Sequence, residues 1–194
     1  MADFILNATS FIATAAIVFL INRKNNRRDT QKRKSVLRYF TMQSNILCAF
    51  SAMLMCAFPW NDTVWYLKYI GTAAVTVTVL TVFLFLAPSI GKGGLIQLLK
   101  GGDLFLHLLN PLIVLISFCV FEKRGMSFGC ALLGMIPVAL YGPWYLYKIR
   151  FAPEEKRWDD FYGFNKGGKW PVYFSGMMAG TFLICMALMG IQNL

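Results

Sequence analysis

The chain has 194 residues, of which 57% are hydrophobic and 14% are charged. This balance is far more apolar than that of a water-soluble domain, so we expect lipid to surround most of the chain. The net charge of +10 does not call for nucleic acid as a partner, because Lys and Arg collect on the cytoplasmic side of membrane proteins and face anionic lipid headgroups there.

Six stretches between charged residues are long enough to cross a bilayer, which takes about 20 apolar residues in a helix. Their apolar residues follow one another directly, as in Leu112 to Ile116, whereas the strands of a membrane barrel alternate between lipid-facing and lumen-facing residues. The sequence therefore predicts an all-α polytopic membrane protein, a bundle of six transmembrane helices that forms one domain over residues 1–194. The predicted spans are 4–22, 39–60, 69–90, 104–121, 125–147 and 170–194.

The connections between the spans differ strongly in positive charge. Those after spans one, three and five contain eight, two and six Lys or Arg residues, whereas those after spans two and four contain three together. The positive-inside rule places the odd-numbered connections in the cytoplasm and both termini outside. We expect a multi-pass protein of the plasma (cytoplasmic) membrane. The five cysteines fall inside predicted spans, so we expect neither disulfides nor a metal site, and no cofactor.

The connection between spans five and six, residues 150–170, mixes charges with aromatic residues. Trp158, Phe161, Tyr162 and Phe164 lie in it. This composition is typical of a segment that lies in the membrane interface, and an ordered loop would have it too. The sequence leaves both interpretations open.

The predicted spans contain no Asp, Glu, Lys or Arg, which argues against ion-coupled transport. Their notable polar residues lie near the cytoplasmic side. Thr41 in span two and His107 in span four each lie a few residues from that side, about 3 to 6 Å deep at 1.5 Å per residue. Helical spacing puts Arg38 and Asn45 on the face of Thr41, and Asn110 on the face of His107, so the two polar faces are expected to meet.

A threonine hydroxyl beside an imidazole suits nucleophilic catalysis, because a neutral histidine can take the proton of the hydroxyl. We predict Thr41 and His107 as catalytic residues. The predicted substrate-binding residues are Asn45 and Asn110 as oxyanion donors, Arg38 as the partner of a substrate carboxylate, and Ser44 in the same polar run.

Several alternatives stay open. Asp103 either orients His107 or caps its helix, and Ser175 is a rival nucleophile in span six. A membrane-buried Thr commonly bonds to its own helix, and His or Asn often joins helices.

The segment Tyr39-Phe40-Thr41 through Asn45, with His107 and Pro111 later in the chain, resembles a known family. This family comprises the androgen-induced and androgen-dependent membrane hydrolases of fatty acid esters of hydroxy fatty acids, with related bacterial multi-span proteins. The resemblance implies that Thr41 is the nucleophile and His107 its partner in a threonine-dependent lipid esterase, with a membrane lipid or fatty acid ester as substrate. Some relatives transfer acyl groups, so an acyltransferase is also implied.

Two non-enzymatic functions compete with the esterase. In the first, the same polar residues hold the headgroup of a lipid or small molecule without turnover. In the second, the chain is a structural or partner-binding protein that assembles through closely spaced glycines. These pairs are Gly125 with Gly129 and Gly176 with Gly180. The sequence does not predict an oligomeric state.

Overall fold

The computed structural model of the chain describes residues 1–26 and 35–194, and no strand occurs in these two segments. The described residues are all-helical, as predicted, and six of the helices are long and apolar enough to cross a membrane. The helices are α1 Ala2–Asn26, α2 Phe40–Ala57, α3 Asp62–Leu86, the short α4 Gly94–Leu98, α5 Gly102–Phe121, α6 Phe128–Phe151 and α7 Trp170–Gln192.

Both termini lie at the same end of the bundle. Near the N terminus, the Phe4 carbonyl accepts a weak hydrogen bond from Cys56 at the end of α2, and near the C terminus Asn193 accepts from the Met126 amide at 2.8 Å. We call this the terminal end, and we call the opposite end, which carries residues 35–39, α4 and residues 152–169, the basic end. Five of the positive charges counted in the first connection lie outside the described residues: Arg27, Arg28, Lys32, Arg33 and Lys34.

The largest apolar cluster lies toward the terminal end. Trp65 and Tyr69 of α3 pack against Phe118 of α5, with ring centroids 5.3 and 5.8 Å apart. Residues of α6 and α7 complete the cluster. The polar atoms of these rings are satisfied, since Trp65 Nε1 donates to the Glu122 carbonyl at 2.7 Å and the Tyr69 hydroxyl donates to the Ala131 carbonyl. Rings of this size bury much apolar surface, so this cluster fixes α3 against its neighbours.

Lys68, which the sequence assigned to the connection before span three, lies inside α3 and is fully buried. The helix begins earlier than the apolar run because the Asn61 side chain accepts from the Val64 amide at 3.1 Å and caps it. The Lys68 ammonium donates to Asn7 Oδ1, and Asn7 Nδ2 donates to the buried carboxylate of Glu122. A charged residue is therefore present within a helix long enough to span the membrane, contrary to the sequence expectation, because Asn7 of α1 bonds to it and links it to Glu122 at the end of α5.

Candidate functional site

A cavity of about 50 Å³ lies at the basic end between α2, α3, α6 and α7. Its wall is mainly apolar and rich in aromatic residues, and the loop of residues 152–169 contributes Tyr162 and Phe164 to it. Three threonine hydroxyls also reach the wall: Thr41 from α2, and Thr78 and Thr81 from α3. Concave, mostly apolar sites with a few convergent polar groups are typical of ligand pockets.

Thr41 is the second residue of α2, which begins after the extended residue Tyr39. Its backbone carbonyl accepts hydrogen bonds from Ser44 Oγ at 3.1 Å and from Asn45 Nδ2 at 2.8 Å. Two of the predicted substrate-binding side chains therefore hold the backbone of Thr41. Its side chain faces the cavity, where it interacts with the hydroxyl of Tyr162.

Asn45 and Asn110, predicted as oxyanion donors, are fully buried and bonded to each other. The N–H groups of Asn45 donate to the Thr41 and Leu106 carbonyls, the latter at 3.0 Å. Asn110 Nδ2 donates to Asn45 Oδ1 at 2.8 Å, and Ser10 Oγ of α1 donates to Asn110 Oδ1 at 2.7 Å. The two polar faces meet, as the shared depth predicted, and the amides join α1, α2 and α5 to one another. Neither amide lines the cavity.

The role of Asn45 follows from the proline in α5. The segment Phe105–Leu109 is π-helical, and the Asn110 amide donates to the Phe105 carbonyl five residues back. In this pattern the next carbonyl, that of Leu106, would accept from residue 111, but Pro111 has no N–H. Asn45 supplies the missing hydrogen bond to Leu106. The combination of Asn45 and Pro111 therefore satisfies a buried carbonyl and fixes α5 against α2.

His107 lies in the same π-helical segment and is 9% exposed. Its Nδ1 atom lies 2.9 Å from the carbonyl oxygen of Leu98, at the end of α4. A carbonyl only accepts, so in the neutral imidazole Nδ1 carries the proton and Nε2 presents a lone pair, as a general base requires. The side chain of Asp103, which the sequence suggested as the group that orients His107, is exposed. The Leu98 carbonyl orients the imidazole ring instead.

Thr41 and His107 lie on helices that are in contact, but no hydrogen bond joins these two described residues, and His107 does not line the cavity. The link between them runs through the backbone. Leu106, the neighbour of His107, is bonded to Asn45, which is bonded in turn to the Thr41 carbonyl.

Arg38 lies on the other side of the loop from Thr41. Its guanidinium stacks over the rings of Tyr39 and Phe161, 4.7 and 5.0 Å from their centroids. It lines a separate polar groove with two cations, Lys156 and Arg157, and two carboxylates, Glu155 and Asp159. Only its carbonyl faces the cavity wall, where it accepts from the Tyr141 hydroxyl at 2.7 Å.

The rival nucleophile Ser175 is exposed, although the adjacent Phe174 lines the cavity. Gly176 and Gly180 have no heavy atom within 4 Å of where a Cβ would lie, so within this chain they bring no helix close. Gly129 is equally open, and Gly125 precedes α6 with a positive φ of 76°. Among the described residues, Gly129, Gly176 and Gly180 therefore bring no helix close, and Gly125 lies against the side chain of Asn193.

The loop of residues 152–169 is ordered by one carboxylate, which the sequence analysis did not single out. Asp160 accepts from the Tyr145 hydroxyl at 2.7 Å and from the amides of Phe164 and Asn165 at 3.1 and 2.9 Å. The Tyr162 amide donates in turn to the Tyr145 hydroxyl at 3.1 Å. The segment is an ordered loop, which is one of the two interpretations that the sequence left open. Its dense aromatic residues were the available signal.

No protein-family model matches this chain, and neither does any curated protein or any solved structure. The chemistry of the site is therefore inferred from its own residues. In residues 1–26 and 35–194, no group of three or more His, Cys, Asp or Glu side chains is placed to hold a metal ion.

Proposed function

We propose that this chain is an intramembrane, threonine-dependent hydrolase of lipid esters. The observation that carries the proposal is that the Thr41 side chain lies in the wall of a mostly apolar cavity, which would hold the reacting end of an acyl ester out of water. In this proposal the protein spans the cytoplasmic membrane with both termini outside, and the basic end and its cavity lie at the inner leaflet.

The reaction starts when Thr41 Oγ1 attacks the carbonyl carbon of the ester and its proton passes to Nε2 of His107. The π electrons of the carbonyl move onto its oxygen. The tetrahedral intermediate then expels the alcohol, which takes the proton from His107, and leaves an acyl ester on Thr41. Water, deprotonated by His107, hydrolyses this ester and restores the hydroxyl.

Proton transfer requires the His107 imidazole to reach the Thr41 hydroxyl directly or through one water. Two features of the site favour this. The Leu98 carbonyl fixes the tautomer whose Nε2 is basic, and the hydrogen bond from Asn45 to Leu106 holds the backbone beside His107 against α2, one turn from Thr41. Arg38, Lys156 and Arg157 line the nearby groove together with Glu155 and Asp159, and in this proposal its cations pair with a negatively charged group of the substrate.

Covalent labelling with a long-chain fluorophosphonate tests the nucleophile. We expect the purified protein in detergent to be labelled, and Thr41→Ala to lose the label while its folded yield is retained. Ser175→Ala and Thr76→Ala are the controls and should keep the label, since Ser175 is exposed and Thr76 bonds to its own helix at the Thr72 carbonyl. Unchanged labelling of Thr41→Ala would contradict the proposal.

A second candidate function is lipid binding without turnover. The observation that favours it is that His107 does not line the cavity. A binding protein would co-purify with lipid, form no covalent adduct with the probe, and lose the lipid when bulky side chains fill the cavity. The labelling experiment therefore separates the two functions.

A further inference from the structure

An ester hydrolase needs a hydrogen-bond donor for the oxygen that becomes negatively charged during attack. Asn45 and Asn110, which the sequence predicted as these donors, already donate to other groups of the protein. Asn45 uses its N–H groups on the Thr41 and Leu106 carbonyls, and Asn110 donates to Asn45. Both are fully buried away from the cavity. The donor is therefore to be sought among the hydroxyls that line the cavity.

Most of these hydroxyls already donate to the protein. The Tyr141 hydroxyl donates to the Arg38 carbonyl and the Tyr145 hydroxyl to Asp160, both at 2.7 Å. Thr78 Oγ1 lies 3.2 Å from its helix carbonyl at Ala74. These hydroxyls donate to carbonyl or carboxylate oxygens. A substrate carbonyl could replace such an acceptor only at the free-energy cost of leaving it without a hydrogen bond.

The Thr81 hydroxyl contacts the sulfur of Met177 on α7 at 3.9 Å. Tyr162 differs from all of these hydroxyls because the side chain of Thr41, the proposed nucleophile, is its direct neighbour. Its oxygen accepts the backbone N–H of Phe40 at 3.1 Å, an amide in the first turn of α2 that has no partner within the helix. Its other neighbours are the side-chain hydroxyls of Thr41 and Tyr141. A hydrogen bond between two hydroxyls is readily exchanged for one to a carbonyl oxygen, because each hydroxyl can rotate.

Hydrogen bonds to the loop backbone also hold Tyr162 in place. The carboxylate of Asp160 and the hydroxyl of Tyr145 fix the backbone of the loop on both sides of it. Burial raises the pKa of Tyr162 to about 12, so the phenol keeps its proton at neutral pH. A neutral donor that is anchored at its backbone and its oxygen needs little reorganisation when charge develops nearby.

We propose that Tyr162 is a third catalytic residue of this site, whose hydroxyl donates a hydrogen bond to the ester carbonyl oxygen while Thr41 attacks the adjacent carbon. This inference rests on the proposed hydrolase function. No bond to Tyr162 forms or breaks, and its proton remains on the phenol oxygen throughout.

The test compares Tyr162→Phe with the unaltered protein in the hydrolysis of a long-chain p-nitrophenyl ester in micelles. Loss of one oxyanion donor lowers kcat by about 10²- to 10³-fold, and we expect this fall with KM changed by less than about threefold. Tyr147→Phe is the matched control, because Tyr147 lies on the exposed surface of α6, and its kinetics should be unchanged.

Tyr162→Phe also removes the acceptor for the Phe40 amide, so a second variant separates catalysis from folding. Site-specific replacement of Tyr162 by 3-fluorotyrosine keeps the ring and the acceptor but makes the hydroxyl a stronger donor. We expect a changed kcat at unchanged thermal stability. Wild-type kcat in both the Tyr162→Phe and the fluorotyrosine proteins would overturn the role of Tyr162 while Thr41→Ala still lost the probe label. Retained label in Thr41→Ala would instead overturn the hydrolase itself.

Discussion

Asn110 donates a hydrogen bond to Asn45 across the contact between α5 and α2, at 2.8 Å and with both side chains fully buried. In lipid, no water is available to bond these amides if the pair separates. The measured free energies of interhelical hydrogen bonds are nevertheless modest. The pair is also connected to α1, through Ser10. Three helices therefore depend on two amides for their relative position.

A double-mutant cycle on Asn45→Ala and Asn110→Ala measures this connection. We expect each variant to lower the free energy of unfolding by about 1–3 kcal/mol, because each leaves buried polar groups without partners. The coupling energy should be about 0.6 to 1.7 kcal/mol. Unfolding in mixed micelles of increasing SDS gives these values, and Asn22→Ala, at an exposed position of α1, is the control. Additive effects would contradict the pairing.

His107→Asn distinguishes the roles of the two imidazole nitrogens. The amide N–H of asparagine lies close to where Nδ1–H lies in histidine, so the variant keeps a donor for the Leu98 carbonyl and lacks Nε2. We expect a destabilisation of about 1 kcal/mol, the centre of the distribution for single substitutions, together with loss of ester hydrolysis. Full activity of His107→Asn would show that the ring is only structural.

Gly142→Ala is expected to reduce the cavity. A Cβ at this position of α6 would collide with the ring of Phe174 on α7, which lines the cavity and stacks on Trp170 at 4.7 Å. Because the ring has to move, we expect the cavity to accept only shorter acyl chains. The loss of kcat/KM should therefore be larger for long-chain than for short-chain esters. Gly176→Ala, where a Cβ meets nothing within 4 Å, should leave the chain-length profile unchanged.

Lys68→Met is expected to destabilise the bundle. It removes the cation that Asn7 links to Glu122, and breaking such a buried pair costs about 3–5 kcal/mol. Oε2 of Glu122 already lacks a hydrogen-bond partner among the described residues, so the double variant Lys68→Met with Glu122→Gln should recover part of the loss. Lys123→Met, at an exposed position beside Glu122, provides the control in the same unfolding measurement.

The sequence predicted what depends on segment length and charge, and missed what depends on contacts between helices. The spans followed from uninterrupted apolar runs. Lys68 was placed outside them because a charge ends such a run, and only the fold reveals that Asn7 and Glu122 accommodate it. The shared depth of Thr41 and His107 followed from helical rise, but the rotation of each side chain did not, because π-helical turns around His107 shift the register of α5. Tyr162 lies in a connection between helices, where no helical periodicity indicates which way a side chain points.

The loop of residues 152–169 contributes Tyr162 and Phe164 to the wall of the cavity at the basic end. Under the proposed function this loop lies between the cytoplasm and Thr41, and the ester enters from the surrounding lipid. An ester dispersed in water would have to dissolve in the bilayer before it met the hydroxyl. Under the proposed function, turnover then follows the mole fraction of ester within the membrane. Inert phospholipid added at constant bulk ester concentration would slow it by surface dilution.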